Sequence, residues 1–151
     1  MSTYTQIYYH IVFSTKQRAP VLVQSCRESL FRYAWGIIQK RNSRLYRING
    51  TSDHLHILTS LHPSVSLADL VKDIKGGLSY WIKENKVCPR FSNWQNGYGA
   101  FTHSGKDKGK LIDYIKKQEE HHRTVSFADE LRALLIEAGV EFDEKHVIQG
   151  G

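Results

Sequence analysis

Two hydrophobic periodicities take turns along the chain. Residues 4–15, YTQIYYHIVFST, are β-branched and aromatic and predict a strand; residues 26–42 then carry Leu30, Phe31, Ala34, Ile37 and Ile38 at helical spacing. RLYRING (44–50) and DHLHILTSL (53–61) read as two strands joined at Gly50, Thr51 and Ser52. Residues 66–85 form an amphipathic pattern opened by Ser66 with Asp69 three positions on, and Gly76 and Gly77 weaken its continuity. After a loop containing Pro, Asn and Gly, GYGAFTHS (97–104) predicts a fourth strand and KGKLIDYIKKQEEHH (108–122) a third helix. SFADELRALLIEAG (126–139) predicts a fourth helix, capped by Ser126 and stopped by Gly139.

The order strand, helix, strand, strand, helix, strand is that of a ferredoxin-like split βαβ sandwich. This is an α+β fold with an antiparallel sheet and helices on one face, here with added C-terminal helices. With 151 residues, the chain suits one domain that buries about 70% of its unfolded surface. Residues 123–151 are then a helical extension, and no motif is placed beyond Ser126. Lys and Arg number 21 against 15 acidic residues, a formal charge of +6, which favours a polyanionic partner. Cys26 and Cys88 have neither zinc-finger spacing nor the density of a disulfide framework, so a reduced, cytoplasmic setting is expected. No run approaches the ~20 apolar residues of a membrane helix, and no membrane role is expected.

Alternation along a strand puts His54, His56, Leu58 and Ser60 on one face and Leu55, Ile57, Thr59 and Leu61 on the other. The leucine-rich face is expected to meet the helices, leaving two imidazoles together, spaced to bind one metal ion or grip one phosphate. Chance HxH pairs are common in a chain with eight histidines. Tyr114 and Gln118, four apart, share a helical face beside Leu111, Ile112 and Ile115, a position that core packing alone would also explain. Lys106, Lys108 and Lys110 lie just upstream, suited to an anionic substrate. Lys72, Lys75 and Lys83 recur at helical spacing and are candidates to track a nucleic-acid backbone; Trp94 and Tyr98 are candidates to stack on unpaired bases, with burial the bland reading of Trp94.

DHLHIL, LVKDIKGGLS (70–79), WQNGYGAF (94–101) and YIKKQ, in that order, resemble the one-tyrosine HUH transposases of small insertion sequences, which include the transposases associated with repetitive extragenic palindromes. The resemblance runs from the first strand to about His122; Lys117 departs from it, since many relatives have asparagine there. It implies that Tyr114 is the nucleophile and that His54, His56 and Gln118 bind Mg²⁺ or Mn²⁺. It also implies a single-stranded DNA substrate with hairpin ends, a 5′-phosphotyrosine intermediate, and a homodimer whose subunits share active sites. Two imidazoles and an amide suit Mn²⁺ or a later metal better than Mg²⁺.

A domesticated nuclease acting on such palindromes is the nearest alternative. GYGAF also partly echoes the RNA-binding signature of the RRM, but Asn96 replaces its leading basic residue and Phe101 falls one position late. A replication initiator or relaxase with the same chemistry is disfavoured by a length that leaves no room for a helicase domain.

Overall fold

In the computed structural model, which describes residues 2–149, β1 (Tyr8–Ser14), β2 (Leu45–Gly50), β3 (His54–Ser60) and β4 (Gly99–His103) form one sheet in the order β2-β3-β1-β4. All three pairings are antiparallel. The helices are α1 (Gln24–Lys40), α2 (Leu67–Asn85), α3 (Lys108–Lys116), α4 (Gln118–His121), α5 (Phe127–Ala138) and α6 (Glu144–Gln149).

The main core follows from strand alternation. Ile11 and Phe13 of β1, with Leu55 and Ile57 of β3, meet Leu30, Ala34 and Ile38 of α1 and Leu70, Ile74 and Leu78 of α2. The opposite face is covered too, which extends the expected architecture: α3 packs on β2 and β3, and Phe127 of α5 closes over Val12 and Phe101 in a second, smaller core. Leu131, Leu134 and Leu135 flank that second core. A face lined by histidines is therefore roofed by helices instead of facing water.

Several expected boundaries shift for physical reasons. The N-terminal strand begins at Tyr8, because Ser2 to Gln6 are exposed and lack a neighbouring strand. Helix α2 runs unbroken through Gly76 and Gly77; a Cβ at Gly77 would stand 2.6 Å from Ile37 Cδ1, so the glycine permits close approach of α1. Ser66 caps α2 by accepting from the Asp69 amide at 3.1 Å, and Ser126 caps α5 by accepting from Asp129 at 3.2 Å. Gly139 ends α5 with φ 70°, as the sequence predicts. The third helix is not continuous over 108–122: it breaks at Lys117, where ψ is 15°. The two cysteines, distant in sequence, meet in the main core with sulfurs 2.8 Å apart. Burial, then the neighbouring thiol, pushes Cys26 up to about 12.

Candidate active site

Strand β3 supplies His54 and His56, β1 supplies His10, and all three are fully buried. Register makes Ser14 the partner of His54 and Val12 that of His56, so the imidazoles stand on the face covered by α3 and α5. The break at Lys117 lets both Tyr114, near the end of α3, and Gln118, which opens α4, turn towards them. From the roof comes Glu130 of α5, 3% exposed.

This carboxylate is the hub. Its Oε1 receives His56 Nε2 at 2.8 Å and His122 Nε2 at 2.9 Å, with His54 Nε2 at 3.6 Å. Its Oε2 accepts from the Tyr114 hydroxyl, from the Gln118 amide at 3.0 Å, and lies 3.3 Å from His121 Nε2. Burial works to raise Glu130, but the hydrogen bonds from His122, His56 and Tyr114 prevail and hold it well below the usual carboxylate range. Burial and the same carboxylate push the Tyr114 phenol well above its ordinary value. His56 is driven down to about 4 by burial, against the pull of Glu130, and His10 to about 3 by burial and then by its histidine neighbours. His122 moves the other way: hydrogen bonding and charge from Glu130 outweigh its burial and raise it.

The residues fit a divalent cation. The ligating atoms of His54, His56, His122 and Glu130 all lie within 4.8 Å of one another, so bonds of about 2.0–2.2 Å need only a modest contraction. The far nitrogens are already engaged: His54 Nδ1 meets Asp53 Oδ1 at 2.7 Å, and His56 Nδ1 meets His10 Nε2 at 2.8 Å, which fixes each ring with Nε2 inward. Burial raises Asp53, but the bond and charge of His54 win and hold it low. Phe127 stacks on the His54 ring at 4.3 Å between centroids.

The expected residues thus divide. Tyr114, His54, His56 and Gln118 converge; Gln118 Oε1 is 3.4 Å from His54 Nε2, while its amide nitrogen is spent on Glu130. Within this chain Tyr114 meets the chain's own histidines and Glu130. Lys108 lies over the rings of Tyr46 and Tyr8, at 4.6 and 5.8 Å, and Lys106 and Lys110 are exposed beside it. Lys72 and Lys83 are exposed on α2, which covers the opposite face of the sheet from Tyr114.

Two expected contacts with DNA are corrected. Trp94 is buried against Phe13 and Phe91, with its indole donating to the Lys75 carbonyl at 2.9 Å, so it cannot stack on a base. Lys75 donates to the carbonyls of Gln95 and Gly97, at 2.7 and 2.9 Å, and burial lowers its pKa; two of its three N–H donors hold a loop instead of reaching solvent. Tyr98 remains exposed, and Phe101 is buried, which removes the exposed aromatic that an RRM would need on that strand.

Sequence reasoning missed Glu130, His122 and His10. Glu130 left a signal: spaced three from Phe127 and four from Leu134, it interrupts the apolar stripe of α5, where a charge is expensive unless partnered.

The model of the family described as IS200-like transposases matches residues 3–118. The chain belongs to that family. The transposase of insertion sequence IS200 from Salmonella typhimurium is 28% identical over 120 residues, covering 76% of this chain and 78% of the relative. The ISDra2 transposase TnpA of Deinococcus radiodurans is 25% identical over 121 residues, covering 76% and 86%. Among solved structures, a candidate transposase of Deinococcus radiodurans R1 superposes with TM-score 0.61 at 23% identity, covering 78% of this chain and 95% of that one. A REP-associated tyrosine transposase bound to a REP hairpin gives TM-score 0.61 at 17% identity, covering 83% and 76%. These last two support the fold of an IS200-like transposase. Glu130, the hub of the site, lies beyond the residues matched by the family model.

Proposed function

We propose that this IS200-like transposase cuts and rejoins single-stranded DNA at hairpin-marked ends through Tyr114. The observation that carries the reading is convergence: one buried carboxylate collects the Tyr114 hydroxyl, two imidazoles and the Gln118 amide within a single chain. Tyr114 Oη attacks phosphorus and the bond from phosphorus to the 3′ oxygen breaks. The strand is left with a free 3′-hydroxyl, and the protein carries a 5′-phosphotyrosine. The phenolic proton ends on the departing 3′ oxygen, so atoms and charge balance. One phosphodiester replaces another, and a second 3′-hydroxyl can reverse the step without ATP.

The cost of ionising an ordinary tyrosine at pH 7 is about 4 kcal/mol, and burial beside Glu130 adds to it. Tyr114 is therefore held as the neutral phenol, its hydroxyl aimed by Glu130 Oε2, until substrate arrives. His54, His56, His122 and Glu130, with Gln118 adjoining, are the residues that would hold a divalent cation, which when bound polarises the scissile phosphate as a Lewis acid. Three imidazoles and one carboxylate suit Mn²⁺ or a later metal better than Mg²⁺. Lys106, Lys108 and Lys110, just before Tyr114 in the chain, are assigned to the DNA backbone.

The test is a denaturing gel. Wild-type protein incubated with an end-labelled single-stranded hairpin and Mn²⁺ should run as a covalent adduct, and folded Tyr114→Phe should not. An adduct that persists in Tyr114→Phe transfers the role to another residue, with Tyr98 and Tyr80 next in line.

A further inference from the structure

A cleft of about 370 Å³ opens beside the histidine site, between the loop at residues 95–99 and the helices α5 and α6. Val12, Phe127 and Leu135 form its apolar floor. Two of these touch the site directly: Val12 is the register partner of His56, and Phe127 stacks on His54. Tyr98 and Phe142 stand at its rim, 42% and 36% exposed. Exposed aromatics over an apolar floor suit a flat, unpaired ring more than a sugar or a phosphate. Glu141 and Asp143 also line the cleft, Asp143 with its Oδ1 accepting from the Lys145 amide at 3.0 Å, and their charge would repel a phosphate there.

The wall is prearranged. Lys75 fastens the carbonyls of Gln95 and Gly97, the Gln95 amide donates to Ser14 at 2.9 Å, and Gly97 takes φ 83°, which side-chain-bearing residues avoid. A cleft held open in this way loses little freedom when filled. Its carboxylates are acceptors only, so they favour bases that present amino groups. Guanine offers an N1–H and an exocyclic amine side by side to one carboxylate, whereas thymine offers a single N–H.

We propose that this cleft takes one unpaired, amino-bearing nucleobase, guanine best, from the strand whose phosphate is presented to Tyr114. It would thereby set which phosphate is cut. The inference rests on the reading of the site as a single-strand transposase, but its test reads no cleavage.

Deoxyguanosine 5′-monophosphate and thymidine 5′-monophosphate are titrated into isotope-labelled, metal-free protein and followed by amide NMR. The expected result is saturable shifts at residues 95–99 and 131–135, with the guanine nucleotide binding about fivefold or more tightly than the thymine one. Tyr98→Ala should weaken it about fivefold or more, the loss of one base–aromatic stack. Leu135→Trp, which fills the floor, should abolish the shifts; if that variant fails to fold, the exposed Tyr98 position decides. Shifts outside the cleft, equal affinity for the two nucleotides, or indifference to Tyr98→Ala would each overturn the proposal. An adduct on hairpin DNA without nucleotide binding here would leave Tyr114 in its role and remove the cleft from recognition.

Discussion

Glu130 concentrates so many partners on two oxygens that single substitutions there separate charge from shape. Glu130→Gln keeps the volume and removes the charge that holds His56, His122 and Tyr114 together. We expect it to lower Mn²⁺ affinity by about tenfold or more in calorimetric titration, as loss of a supporting ligand commonly does. In chelator it should destabilise the fold by about 3 kcal/mol in urea unfolding, the usual scale for breaking a buried charged network. The histidines give a pH signature in the same metal-free protein. His10 and His56 have folded values of about 3 and 4, below the ordinary 6.5, so the unfolded chain binds their protons first as pH falls below 6.5. Stability should then drop by about 1.4 kcal/mol per pH unit for each. His122, raised above 6.5, contributes stability that is complete below that pH and is lost as pH rises through its folded value. Melting temperature measured in chelator should therefore peak near pH 6.5, and His10→Phe should flatten the acid limb.

At the scale of elements, the β2–β3 turn and helix α2 use glycine for opposite reasons. A Cβ at Gly50 would come within 2.5 Å of the His54 carbonyl oxygen, a backbone atom that cannot yield without moving His54 itself. Gly50→Ala should cost about 2 kcal/mol in unfolding and weaken Mn²⁺ binding with it. Gly76 has open space around its missing Cβ inside an unbroken helix, so Gly76→Ala should stabilise by about 0.5–1 kcal/mol. The same contrast shows how far the sequence could be read. Alternation at His54 to Leu61 placed the imidazoles on the correct face, and the caps at Ser66 and Ser126 marked two helix starts to within a residue. Periodicity could not reveal that a second layer roofs those imidazoles. Nor could it show that Lys75 is consumed by carbonyls twenty or more residues away, because both depend on long-range packing. Glu130 was legible as a charge inside an apolar stripe, yet its partners come from β3, α3 and the segment after α4.

For the whole molecule, the question is whether the contact between Tyr114 and the histidines of its own chain is also the one used in a dimer. A mixture of Tyr114→Phe and His56→Ala proteins tests this directly. If each chain uses its own tyrosine, every site in a heterodimer carries one defect and the mixture stays inactive after co-expression. Recovery of roughly a quarter of wild-type hairpin cleavage would instead require tyrosine exchange between subunits, the arrangement the resemblance implies.

Lys75 bears on how such experiments are interpreted. A laboratory that neutralises each lysine in turn and ranks the losses should find Lys75 among the most damaging, although its ammonium already serves two carbonyls of the protein. Its ammonium is a peg on which residues 95–97 hang, and removing it slackens the wall beside Tyr98. The salt dependence of DNA binding tells the two cases apart. A true backbone contact lowers the slope of affinity against salt by about one unit when lost, whereas a peg leaves the slope unchanged and shows itself as a lower melting temperature.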